Sequence, residues 1–210
     1  SIGGIKLGLE FFVAQGPEGV RRVGASGLPL FLDLKLHDIP NTVRGAILSL
    51  QGLPIDFLTV HTGGGAAMMQ AAAAARDEAG LSGRRGKTHI LGVTVLTSLD
   101  AGDLARLGQD PDTAAQVERL ALLAKDSGLD GIVCSPAEVA LVRRAVGPDF
   151  GLMVPGIRPE GGSGGDDQKR TMSPRSAIEA GAEYLVIGRP ITAADDPAAA
   201  AAHILERLAA

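Results

Sequence analysis

FLDLKLHDIPNT, residues 31–42, sets three charged side chains, Asp33, Lys35 and Asp38, into and just beyond an apolar run, and then turns on Pro40. Leu32, Leu34 and Leu36 alternate with the polar positions, which is the period of a β-strand, so Asp33 and Lys35 are expected on one face and the leucines on the other. Asp38 falls past the strand, and Pro40, whose fixed φ suits the first position of a helix, opens the next element. The stretch therefore reads as one β/α unit with its charges at the C-terminal end of the strand. Ions are costly to bury unless they are paired, hydrogen-bonded or used, and a cluster this dense points to use.

The same unit repeats on either side. Strand-like runs fall at residues 2–8, 29–35, 55–61, 88–96, 130–135, 150–155 and 184–188, and helical patterns at 16–25, 41–51, 64–80, 112–127, 136–146, 174–181 and 197–209. Alternation of this kind builds a parallel sheet, and strands that are apolar throughout fit a sheet covered on both faces. No linker rich in Pro, Gly or Ser divides the chain, so a single domain over residues 1–210 is expected. The number of units is one short of a (β/α)8 TIM barrel. Polar residues at strand ends and glycine-rich loops after the last two strands favour that barrel over a doubly wound sheet. The missing unit would be the first, because the chain opens on Ser1 without Met and enters a strand at once, as an N-terminal truncation would.

Composition narrows the partners. A 210-residue chain that is 45% hydrophobic can bury a large core. Its net charge of −4, with one Tyr, five Phe and no Trp, offers neither a basic footprint nor stacking platforms for polymeric nucleic acid. No apolar run approaches the ~20 residues of a membrane span, and no signal peptide opens the sequence, so a cytoplasmic protein is expected. A single cysteine, Cys134, leaves no internal disulfide framework and no cysteine-based zinc cage, and it is expected to be a small buried hydrophobe.

Two constellations could carry chemistry. Lys6, at the end of the first strand, can approach Asp33 and Lys35 if the two strands are neighbours, giving with Asp38 a row of alternating charge, Lys, Asp, Lys, Asp. Asp38 falls in the β/α turn on the same end, with a helix-entry cap as the competing role. The second constellation is PGIRPEGGSGGDDQ, residues 155–168, with IGRP, residues 187–190. Glycines let backbone N–H groups converge on an anion, and Arg158 and Arg189 can fork onto phosphate oxygens, so a phosphorylated ligand is expected, with Gln168 holding phosphate or closing over it. Thr97, Ser98, Ser135 and His61 also stand at strand ends, where turn and cap roles compete with ligand contact. No second ligand has a recognisable spacing to His61, and no metal is expected.

The segment at residues 31–42 resembles the D-x-K-x-x-D-I-P-x-T signature of the orotidine 5′-monophosphate decarboxylase family. IKLGLEFF, TVHTGGGAAMM, VTVLTS, GLDGIVCS, VPGIRP, DDQKR and VIGRPIT resemble that family's segments in order, over essentially the whole chain. The resemblance implies a cofactor-free decarboxylase of pyrimidine biosynthesis with a nucleotide substrate. It implies that Lys35 protonates C6 of the pyrimidine, Asp33 lies near the departing carboxylate and Lys6 binds the ribose. It implies a homodimer in which Asp38 and Thr42 reach the partner's site. Thr97 and Ser135 would contact the base or ribose, Pro155 the base pocket, and Gln168, Gly188 and Arg189 the phosphate, with Arg158 in the phosphate loop or structural. The family's ribose-binding Asp on its first strand has no counterpart in the chain. Two rivals stand beside this reading: a Mg²⁺-dependent phosphosugar decarboxylase or synthase of the same superfamily, and a non-catalytic nucleotide-binding barrel.

Overall fold

A computed structural model describes residues 2–158 and 172–209. They form a parallel α/β fold in two compact units, one of residues 2–93 with 123–132, the other of 94–122 with the chain from 133 onward.

The first unit holds β1 (Ile5–Gly8), α1 (Leu9–Gly24), β2 (Leu30–Leu36), α2 (Pro40–Leu48), β3 (Phe57–His61), α3 (Gly65–Glu78), a small antiparallel hairpin of β4 (Ser82–Gly83) and β5 (Gly86–Lys87), and β6 (His89–Val93). Strands β1, β2, β3 and β6 pair side by side in chain order, all parallel. Helical crossovers make this the natural order, since each strand returns beside its predecessor. The register sets Phe31 against Phe57 and Phe57 against His89, and their rings meet edge to face at 6.2 and 5.6 Å. Leu32, Leu58 and Ile90 line up on the opposite face with no solvent exposure. Both faces of β2 and β3 are thus covered, as their continuous apolar character requires.

Helix α1 departs from the sequence expectation of 16–25. It begins at Leu9 and breaks at Gly16, whose φ of 58° and ψ of −164° interrupt two helical pieces. Pro17 explains the expected start, since proline suits a helix's first turn. The preceding piece, LEFFVAQ, is apolar enough to pass for strand, and it leaves Leu9 and Val13 exposed.

Helix α5 (Thr113–Asp126) and strand β7 (Gly131–Val133) each run across the division between the units. The second unit adds α4 (Ala101–Arg106), α6 (Val139–Val146), β8 (Gly151–Val154), α7 (Pro174–Glu179), β9 (Tyr184–Leu185), α8 (Arg189–Thr192) and α9 (Pro197–Ala209). Helix α4 was not expected. It is held by a reciprocal cap in which the Asp103 N–H donates to Asp100 Oδ1 at 3.0 Å and the Asp100 N–H to Asp103 Oδ2 at 3.1 Å. Strands β8 and β9 pair in parallel, Met153 opposite Tyr184. Cys134 is buried, and its N–H bonds the Met153 carbonyl at 3.4 Å.

Candidate active site

The site in the first unit starts from an irregularity. Leu32 pairs with Leu58, but the next partner pair is Leu36 with Val60, so β2 uses four steps where β3 uses two. The surplus is taken up around Lys35, whose φ of 51° is the single positive value at a non-glycine among the described residues. Plain strand alternation, the basis for placing Asp33 and Lys35 on one face, therefore does not hold here. The two side chains still meet, because the bulge re-aims Lys35.

Thr59 stands on β3 between the two paired positions, fully buried. Its Oγ1 donates to Asp33 Oδ1 at 2.9 Å and accepts the Lys35 N–H at 2.9 Å. Asp33, 7% exposed, uses its other oxygen for both lysines: Lys35 Nζ lies 2.8 Å and Lys6 Nζ 3.3 Å from Oδ2. Three members of the expected Lys, Asp, Lys, Asp row meet here, Lys6, Asp33 and Lys35. Lys6 is level with Phe31 in the β1–β2 register, two residues before Gly8, which faces Asp33. Its chain reaches up past Gly8, where a Cβ would lie 3.4 Å from Nζ.

Burial pushes the Asp33 carboxyl up, but the hydrogen bond and charge of Lys35, the charge of Lys6 and the bond from Thr59 outweigh it and hold the group below its ordinary value. Asp33 is a fixed anion. His61, at the end of β3, stacks on His37 with ring centroids 5.3 Å apart. Burial lowers its pKa, and His37 and Lys35 lower it further against the opposing charge of Asp33, so its imidazole is neutral near pH 7. Lys35 is thus held at two points, its ammonium on the Asp33 carboxylate and its backbone N–H on Thr59.

Asp38 and Thr42 are exposed at the start of α2. Asp38 Oδ1 accepts the Ile39 N–H at 2.7 Å, while the cap position itself belongs to Ile39. Neither residue joins the lysine row within the chain.

In the second unit, Ser135 is completely buried and its hydroxyl donates to Glu138, itself 4% exposed, in a short hydrogen bond. Arg158 turns back on its own segment, with Nη1 on the Ile157 carbonyl at 2.9 Å and its N–H on Met172 O at 2.9 Å. Thr97 and Pro155 are half-buried beyond β6 and β8, and Gly188 caps the short helix α8, which Arg189 begins, both exposed. Gln168 lies outside the described residues.

Sequence reasoning missed Thr59 and Glu138. Thr59 carries no charge and is an ordinary strand former, so nothing but its neighbourhood to the bulge marks it. Glu138 had a signal in S-P-A-E, a capping spacing after a strand end.

The family model described as "Orotidine 5'-phosphate decarboxylase / HUMPS family" matches residues 1–204. The orotidine 5′-phosphate decarboxylase of Paramagnetospirillum magneticum is 53% identical over 208 residues, 99% of this chain and 88% of that protein. That of Moorella thermoacetica is 53% identical over 200 residues, 95% of this chain and 79% of that one. The crystal structure of the Lactobacillus acidophilus orotidine 5′-phosphate decarboxylase superposes with a TM-score of 0.83 at 39% identity, covering 98% of this chain and 86% of the other. With matches of this extent and identity, the chain belongs to the orotidine 5′-phosphate decarboxylase / HUMPS family.

Proposed function

We propose that the chain converts orotidine 5′-monophosphate to uridine 5′-monophosphate and CO₂, a step of pyrimidine biosynthesis, with the Lys6–Asp33–Lys35 row as its chemical centre. The observation that carries the reading is the shared oxygen, Asp33 Oδ2, with Lys35 Nζ at 2.8 Å and Lys6 Nζ at 3.3 Å, in a chain 53% identical to a named orotidine 5′-phosphate decarboxylase.

In the proposed step the bond from C6 to the carboxylate breaks, CO₂ leaves, and the electron pair stays on C6. No carbonyl or pyridinium is placed to accept that pair, so stabilisation must be electrostatic. Lys35 supplies it as an ammonium beside C6, transfers its proton to the carbon, and recovers a proton from solvent. Asp33 faces the substrate carboxylate and disfavours the ground state, a cost met by binding energy from the remote phosphate. Lys6 holds the ribose and balances Asp33. No cofactor takes part in this scheme.

For the second unit the proposal assigns Thr97 and Ser135 to the base or ribose, Pro155 to the base pocket, and Arg158, Gln168, Gly188 and Arg189 to the phosphate. It places Asp38 and Thr42 in the partner's site of a homodimer. The exposure of both residues, with Ile39 66% exposed between them, supports that role. The chain-order parallel pairing of β1, β2, β3 and β6 supports a (β/α)8 barrel forming one catalytic domain.

The test is the fall in ultraviolet absorbance as orotidine 5′-monophosphate is consumed. Turnover that survives EDTA separates this reading from a Mg²⁺-dependent phosphosugar enzyme. Tight nucleotide binding by calorimetry with no CO₂ release sinks it.

A further inference from the structure

We infer that Thr59 is a positioning residue of the reaction: its hydroxyl replaces the ladder hydrogen bond that the β2 bulge removes, and so holds both the Lys35 backbone and the Asp33 carboxylate. The inference rests on the decarboxylase reading for its kinetic consequence and on geometry alone for its structural one.

The need arises from the bulge. Between Leu32 and Leu36 the pairing of β2 with β3 slips by two residues, and a part-buried backbone N–H deprived of its ladder partner needs another acceptor. The Lys35 N–H finds Thr59 Oγ1 at 2.9 Å. Lys35 is also the residue at φ 51°, a conformation that a side chain with a Cβ resists and that surrounding structure must impose. The threonine hydroxyl is on the spot where that imposition is needed.

A hydroxyl has one proton and two lone pairs, so its roles here are determined. Oγ1 accepts from Lys35 N, which leaves its proton for Asp33 Oδ1 at 2.9 Å. Asp33 Oδ2 is occupied by Lys35 Nζ and Lys6 Nζ, so the two ends of the carboxylate have different work. Lysine ammoniums on flexible stems fix charge but not orientation. The short, β-branched threonine, with no exposed surface and a stiff χ1, fixes the plane of the carboxylate. One atom therefore links the charge that faces the substrate to the backbone of the residue that donates the proton.

Thr59→Val keeps the shape and removes the hydroxyl, leaving Lys35 N–H and Asp33 Oδ1 without it. Thr59→Ser keeps the hydroxyl. With orotidine 5′-monophosphate, T59V is expected to lose about ten- to a hundredfold in kcat with KM little changed, while T59S retains most of kcat. The acidic limb of the kcat/KM profile should move to higher pH in T59V alone, because Asp33 loses a bond to its charged form. The other groups facing that carboxylate, Lys6 from β1, Lys35 from β2 and His61 from β3, are the same in both variants.

Two readouts need no turnover, so they separate this inference from the activity assignment: Lys35 amide exchange should quicken and the Asp33 carboxyl should titrate higher, by NMR, in T59V and not in T59S. If T59V does not fold, T59S and T59A take its place, since both lose the methyl and only one keeps the hydroxyl. Equal kcat, equal Lys35 amide protection or equal Asp33 titration with and without the hydroxyl overturns the inference.

Discussion

Lys35 Nζ lies 2.8 Å from Asp33 Oδ2 at the end of a residue whose backbone stands at φ 51°, so the closest ion pair of the row is made by the most contorted residue of its strand. Chemistry and backbone strain can be separated by substitution. Lys35→Ala and Lys35→Gly both remove the ammonium, and both should lose nearly all turnover while keeping native circular dichroism. Glycine accepts positive φ where alanine does not, so K35G should be about 1 kcal/mol more stable than K35A in urea titrations. Near-normal turnover in either variant removes Lys35 as proton donor.

Acid should weaken the fold through Asp33. Its folded pKa lies below the unfolded value of 3.8, so ionised Asp33 contributes stability that is fully present above 3.8. That contribution declines as pH falls below 3.8 and is gone once pH has passed through the lower, folded value. Urea unfolding of wild type and Asp33→Asn between neutral pH and the acid limb measures it. The pH-dependent part of the difference between them should shrink on acidification, and a difference that is flat with pH contradicts the assignment.

If Asp38 completes the neighbouring subunit's site, two dead enzymes should revive on mixing. Lys35→Ala and Asp38→Ala each lack a functional site of either kind in their homodimers. In the mixed dimer, one site combines the intact Lys35 of one chain with the intact Asp38 of the other. After subunit exchange at equal amounts, activity should approach about a quarter of wild type. Failure to recover activity despite proven exchange places Asp38 in its own chain's site or in none.

Asp56 provides the contrasting case of a buried carboxylate whose task is architectural. It is 2% exposed and precedes β3, at the strand end opposite the lysine row. It accepts the N–H of Leu30 at 2.8 Å and of Arg85 at 2.6 Å, and the β4–β5 hairpin closes over it so tightly that a Cβ on Gly83 would fall 2.5 Å from its Cγ. Asp56→Ala strands both N–H groups and should cost roughly 1–3 kcal/mol in chemical denaturation. Turnover by the folded fraction should stay near wild type, as expected for the stability end of a β/α fold.

Period and alternation made most of the architecture legible. Every strand of the sheet was anticipated near its place, because apolar runs separated by helical patterns leave few other solutions. The charges of the site were legible for the same reason that they are costly, since Asp33 and Lys35 stand out against leucines. What alternation cannot register is an insertion within a strand. The bulge shifts Lys35 off the regular face without any glycine or proline to announce it, and Thr59, which answers the bulge, looks like any strand threonine. Helix α4 is a single capped piece of six residues, too short for a periodic signal. The Ser135 hydroxyl donates to Glu138, a pairing that depends on a turn three residues long and that strand periodicity does not register.

The two lysines on one carboxylate oxygen also set the valence of the site. Two ammonium groups and one carboxylate leave a surplus of one positive charge. In the decarboxylase reading proposed above, an anionic substrate approaching the row would be drawn toward the trio's surplus charge and would feel Asp33 as a repulsive neighbour only at contact. Neutralising Lys6, as in Lys6→Met, would bring the trio to zero and leave Asp33 with a single counter-ion. Attraction and repulsion toward the same ligand are thus separated by distance, within a cluster spanned by two ion pairs of 2.8 and 3.3 Å.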